Sequence, residues 1–206
     1  MGLTAIALIY SPLGQRSGAH LNPSVTLTFY RLGKIRRLDA VLYILGQFVG
    51  GLSGVLVAGL LLRGALARPE VQFAATHPGA GGPWVALGAE FLISFLLMSV
   101  VLRVSNHRSL SRYTGLIAGL LVAIYITFEA PYSGMSMNPA RSFASAVPAS
   151  LWKDFWIYVV APPLGMLAAA EIYLRMKPNA PVKCCKLYHN PHKRCTFCGQ
   201  KGDIHE

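Results

Sequence analysis

The residues of this chain whose types and spacing could do chemistry sit in three places. Two are Asn-Pro pairs, Asn22-Pro23-Ser24 and Asn138-Pro139-Ala140, the second followed directly by Arg141. The third lies near the end, where Cys184 and Cys185 precede His189 and a Cys195-Thr196-Phe197-Cys198 run. Asparagine is a good helix N-cap, and proline suits the first helical turn because its φ is preset and its absent N–H would be unpaired there. Each Asn-Pro therefore reads as a helix start whose Asn amide can still donate a hydrogen bond to a passing polar molecule. Two such starts meeting tip to tip would put two positive dipole ends together, which disfavours cations and interrupts a proton wire. That is the chemistry of selection. No nucleophile–base pair and no phosphate-cradling glycine loop is present, so an enzyme is not expected.

The elements that must position these residues are apolar. Across 206 residues only 13% are charged, with a net charge of +11; an ordinary soluble domain carries roughly 25% charged residues. Intrinsic disorder is excluded for most of the chain. Crossing a bilayer takes about 20 apolar residues, and Ala40–Leu62, Trp84–Leu102, Leu110–Phe128 and Phe155–Tyr173 qualify. Met1–Leu13 is apolar but short; lacking a basic start and a small-residue cleavage site, it reads as the tail end of a membrane helix. The two stretches opened by the Asn-Pro pairs, Asn22–Leu32 and Asn138–Val147, span roughly 15 Å each, half a bilayer. They are expected to enter the membrane and return. Lys and Arg then fall mostly on alternate connections, which puts the tail from Arg175 onward in the cytoplasm. The basic charge reflects topology, and nucleic-acid binding is not expected.

Ser17-Gly18-Ala19-His20-Leu21-Asn22-Pro23-Ser24 repeats as Ser133-Gly134-Met135-Ser136-Met137-Asn138-Pro139-Ala140, with Ser, Gly, Asn and Pro in register. One copy follows a helix that ends inside and the other a helix that ends outside, so the pair is inverted about a midplane site. By the same comparison the first copy lacks the counterpart of Trp84–Leu102.

These two segments resemble the signature boxes of the aquaporin, or major intrinsic protein, superfamily, and the resemblance extends from the start of the chain to about Tyr173. It implies an all-α membrane protein: a right-handed bundle with two re-entrant Asn-Pro half-helices, one pore per subunit, and a tetramer. The first transmembrane helix of that pattern is expected to be absent. Asn22, Pro23, Ser24, Asn138, Pro139 and Ala140 would form the pore midplane, with Ser24 replacing the usual Ala. Arg141 would form the outer constriction with Gly2, Ile126 and Met135, positions matched by their spacing from the boxes. These differ from a water-specific filter, which resembles Phe, His and Cys with the Arg, whereas Ser142 and Ala146 resemble the water-channel branch. Glu90 would brace a re-entrant loop, its alternative being a protonated carboxyl with a packing role. His20 would satisfy loop backbone, its alternative being a pH-sensitive latch. Gln47 is expected to hydrogen-bond between helices, and Gly46, Gly50, Gly51 and Gly54 to be helix contacts.

The tail differs in composition, which divides the chain into a channel domain, 1–176, and a basic Cys/His tail, 177–206. Cys195 and Cys198 have the spacing that lets two thiolates grip one metal, and Cys184 or Cys185 with His189 would complete a tetrahedral zinc set. Palmitoylation of Cys184 or Cys185 and a plain basic tail stand beside that reading. The channel itself needs no cofactor. The chain is thus expected to be a multi-pass protein of an inner or plasma membrane and a passive channel for water or small uncharged solutes. A glycerol- or metalloid-type facilitator and a non-conducting membrane protein with a metal-binding tail are the alternatives.

Overall fold

A computed structural model describes residues 1–176, 182–189 and 194–199. The linker at 177–181, His192 and the end at 200–206 lie outside the described residues. The regular structure among the described residues is all helical, with α1 at Gly2–Tyr10, α2 at Pro12–Ser17, α3 at Pro23–Arg31 and α4 at Arg37–Leu61. After two short 3-10 turns come α5 at Gly82–Ser105, α6 at Thr114–Phe128, α7 at Ala130–Ser133, α8 at Pro139–Ala149 and α9 at Trp156–Met176. Helices α4, α5 and α9, and α6 extended by its preceding 3-10 turn, are long and apolar enough to cross a membrane. The half-helices α3 and α8 are 9 and 11 residues long.

The first apolar stretch departs from expectation. It breaks at Ser11, whose backbone is extended at φ −65° and ψ 157° and whose Oγ accepts from the Gly14 N–H of α2. Pro12 is the cause, because a residue before proline is pushed out of the helical region. Helical phase is therefore not continuous from α1 into the first box.

Close approach of helices depends on missing side chains. A Cβ on Gly165 of α9 would lie 2.4 Å from the Phe91 carbonyl oxygen of α5, and one on Gly2 of α1 would lie 2.5 Å from that of Gly119 in α6. In α4 only one of the four expected contact glycines behaves so: a Cβ on Gly51 would sit 3.3 Å from Ala144 Cβ of α8. Gly46, Gly50 and Gly54 meet nothing within 4 Å. They are not helix contacts among the described residues; Gly46 and Gly50 floor an open groove.

The main core includes Phe29, Met98, Leu102, Met166 and Ala170 from α3, α5 and α9. Val182, Cys184, Cys185, Leu187 and Cys195 join the same cluster. The described part of the tail is packed into the end of the bundle.

Candidate functional site

The two half-helices meet at their asparagines. The Asn22 Oδ1 caps its own helix by accepting from the Ser24 N–H at 2.8 Å, while its Nδ2 donates to the Met137 carbonyl at 2.7 Å. The Asn138 Oδ1 accepts from the Ala140 and Arg141 N–H groups at 3.0 and 3.3 Å, and its Nδ2 donates to the Leu21 carbonyl at 3.0 Å. Each amide carries two N–H groups, so one on each asparagine is left for the cavity. Pro23, Ser24, Pro139 and Ala140 form the first turns behind them and are buried.

The approach to the second tip is a taut loop. Gly134, Met135 and Met137 all have positive φ, between 48° and 78°, a strained conformation for the two methionines. Glu90 of α5 holds it there. Its Oε1 accepts from the Ser133 hydroxyl at 2.8 Å and the Ser136 N–H at 2.6 Å, and its Oε2 accepts from the Met137 N–H at 2.7 Å. Ser133 also receives the Met135 N–H, and Tyr158 of α9 donates to the Ser133 carbonyl at 2.6 Å. A chain of hydroxyls from Ser136 through Ser142 to Thr76 extends the support into the loop between α4 and α5. Sequence reading missed Ser133, Ser136, Ser142, Thr76 and Tyr158 as supports. Repeat symmetry offered one signal: Ser17 receives the Ala19 N–H just as Ser133 receives that of Met135.

The first tip is held differently. His20 is buried, its Nε2 2.9 Å from the Cys185 carbonyl and its Nδ1 3.3 Å from the Thr26 hydroxyl. Gln47 of α4 donates to the His20 carbonyl at 2.6 Å and to Thr26 Oγ1 at 2.9 Å. A carbonyl can only accept, so the His20 proton sits on Nε2.

Two cavities flank the tips. One, of about 300 Å³, is walled by Leu8, Met98, Asn22, Asn138, Met135 and Arg141, among others. The other, of about 700 Å³, is the open groove along Gly46, Gln47 and Gly50, and it also reaches Asn138 and Arg141. Arg141 thus faces both, and its Nη1 is buried without a hydrogen-bond partner. Of the expected filter positions, Met135 shares the smaller cavity with Arg141, and Ile126 packs beside Met135 and Ile93. Gly2 does not reach the cavity wall; it is turned into the α1–α6 seam, and Met1 lines the cavity in its place.

In the tail, the ligand atoms of Cys184, His189, Cys195 and Cys198 lie within 4.8 Å of one another. The Cys184 and Cys195 sulfurs are 3.7 Å apart, and Cys198 Sγ is 3.8 Å from His189 Nε2. Two thiolates on one tetrahedral zinc, at Zn–S of roughly 2.3 Å, stand about 3.8 Å apart. The set has the dimensions of a zinc site. Cys185 is not one of that set and is fully buried in the core.

The family model described as Major intrinsic protein matches residues 1–173. Among curated relatives, Aquaporin NIP1-3 of Oryza sativa subsp. japonica is 38% identical over 175 residues, 84% of this chain and 58% of that protein. Aquaporin NIP1-1 of Arabidopsis thaliana is 35% identical over 176 residues, 84% of this chain and 59% of that protein. The chain spans about three-fifths of the length of the curated relatives it matches. Among solved structures, the aquaglyceroporin from Plasmodium falciparum superposes with a TM-score of 0.64 at 17% identity, covering 84% of this chain and 88% of that one. At that identity the likeness is one of fold.

Proposed function

We propose that this chain, which belongs to the major intrinsic protein family, is a multi-pass membrane protein that conducts water or small uncharged solutes passively. The observation that carries the reading is the meeting of α3 and α8. Two helix N-termini converge there, the Asn22 and Asn138 amides are fixed by bonds to each other's chains, and the Arg141 side chain lines the adjoining cavity. A neutral molecule would trade its water shell for these donors, while a cation would meet two positive dipole ends and a guanidinium. The Ile126 and Met135 side chains supply no second polar group at the Arg141 constriction, which favours solutes such as glycerol over a filter tuned to water alone.

The remaining parts of the reading are these. Arg31, Lys34, Arg36, Arg37, Arg103 and Arg108 share the tail's side in the topology, which supports a cytoplasmic tail. Subunits assemble as tetramers, each with its own pore. Zinc is bound by Cys184, His189, Cys195 and Cys198 as a structural ion that conduction chemistry does not require. The test of the channel is stopped-flow shrinkage of proteoliposomes under sucrose and glycerol gradients. Faster water or glycerol movement than through empty vesicles is expected of the metal-free protein, and equal rates for both would end the reading.

A further inference from the structure

Residues 182–189 form no regular secondary structure, yet they are laid across the bundle at one mouth of the smaller cavity. The Lys183 N–H donates to the Asn106 side chain at the end of α5, at 2.7 Å. The Cys185 carbonyl meets His20, Lys186 Nζ donates to the Gln15 carbonyl of α2, and the Leu187 N–H donates to the Gly18 carbonyl. Tyr188 packs edge-on against Tyr10 at 4.8 Å between ring centroids, and Phe197 lies 6.5 Å from the Tyr43 ring. The contacts fall on α1, α2, the loop before α3, α4 and the end of α5. Leu187 is carried by them into the wall of the cavity that holds Asn22, Asn138 and Arg141, where it is 8% exposed.

The metal cluster brackets this contact. Cys184 and His189 stand three residues before and two residues after Leu187, and Cys195 and Cys198 close the set from the following loop. An eight-residue irregular segment has no helix or sheet ladder to hold its shape, so a four-ligand ion would be its main cross-link. Structural zinc contributes folding free energy outright, because the ligand arrangement does not persist without it.

We propose that zinc at Cys184, His189, Cys195 and Cys198 works as an effector, clamping the tail over its mouth of the pore with Leu187 as the stopper, so that loss of the metal opens the channel. This rests on the channel and zinc readings above, and it adds the direction of control: metal-loaded is closed, metal-free is open. The ligand is a divalent cation of zinc type, selected by a thiolate-rich set.

The test uses the full chain in proteoliposomes, with zinc content measured on the same preparation. Flux is compared after loading with zinc chloride and after stripping with a chelator. Loaded protein should carry one zinc and pass glycerol and water slowly, and stripping should raise flux roughly tenfold if metal moves the tail from mostly closed to mostly open. Cys195→Ser with Cys198→Ser should lose the zinc and conduct at the stripped rate regardless of added metal. Leu187→Ala should keep its zinc and still conduct. Hydrogen exchange supplies a readout independent of flux: amides at 18–22 should be protected by zinc in wild type and unprotected in the double serine variant.

The failures separate. One zinc bound with equal flux in both states overturns the stopper and leaves the zinc reading standing, as does a Leu187→Ala variant that stays closed while loaded. No zinc bound removes both, with the channel judged by the flux of that metal-free protein. No flux in any state, Leu187→Ala included, removes the stopper together with the channel.

Discussion

Asn22 and Asn138 each hold the other's chain. The Asn22 amide donates to the carbonyl of Met137, the residue before Asn138, and the Asn138 amide donates to the carbonyl of Leu21, the residue before Asn22. Both side-chain oxygens meanwhile cap their own helices. The pairing is reciprocal but unequal, since Asn138 caps two N–H groups and Asn22 caps one.

That inequality predicts an order of stability. A lost cap costs about 1 kcal/mol, and a lost hydrogen bond about 1 kcal/mol more. Asn22→Ala should destabilise by about 2 kcal/mol and Asn138→Ala by somewhat more. The double variant should cost less than the sum, because the two residues share one network. Thermal unfolding in detergent, followed by circular dichroism, reads all three. Strict additivity would mean that the tips are held independently.

Glu90 offers a sharper substitution. Its two oxygens accept from the Ser133 hydroxyl and from the Ser136 and Met137 N–H groups. Glu90→Gln keeps the shape but presents an NH₂ to one backbone N–H, leaving a buried donor unmet at a cost of about 1–3 kcal/mol. If the amide nitrogen faces Met137, the carbonyl that Asn22 binds is released too. The expected result is a lower melting temperature and a lower solute flux together. A variant that melts lower yet conducts normally would show that the brace does not set the position of the second tip.

How much of this was legible in the sequence differs by element. The four spans and both half-helices could be read because apolar length and Asn-Pro starts are local signals, and the ends of α4, α5 and α9 fall within about three residues of the expected ones. The midplane asparagines followed from the same signal, and their mutual bonds followed only from the fold. That Gly2 faces the α1–α6 seam could not be read, because spacing from the box does not say which neighbour a helix face meets. Gly46, Gly50 and Gly54 were misread because small residues announce a close neighbour without saying whether one is present. The seating of Leu187 over the cavity could not be read at all, since an irregular segment has no periodicity to point it anywhere.

His20 sets a pH dependence of stability. It lies in the connection between α2 and α3, with the Tyr43 and Phe29 rings and the Cys185 carbonyl around it, and burial lowers its pKa to about 4 against an ordinary 6.5. Above pH 6.5 both folded and unfolded chains hold the ring neutral, and stability from this residue is unaffected. Below it the unfolded chain takes up a proton that the folded chain refuses, so stability falls as pH drops from 6.5 toward 4, by about 2 kcal/mol at pH 5. Melting temperatures at pH 7.5 and pH 5.0 should therefore differ more for wild type than for His20→Gln, which keeps a donor for the Cys185 carbonyl. Equal slopes in the two proteins would assign the acid sensitivity to another group.

Arg141 lines both cavities, and its Nη1 is buried without a hydrogen-bond partner. Replacing it with alanine removes a large polar side chain and a fixed positive charge but leaves the converging ends of α3 and α8 in place. Since Met135, which shares the smaller cavity with Arg141, adds no charge there, uptake of neutral solute should rise clearly in Arg141→Ala. Cations would still meet two positive helix ends at Asn22 and Asn138, so their leak should rise only modestly. The measurement is paired, glycerol uptake by stopped flow and conductance across a planar bilayer, on wild type and Arg141→Ala. A large conductance increase with unchanged glycerol uptake would place the main cation barrier at Arg141 and not at the meeting of the half-helices.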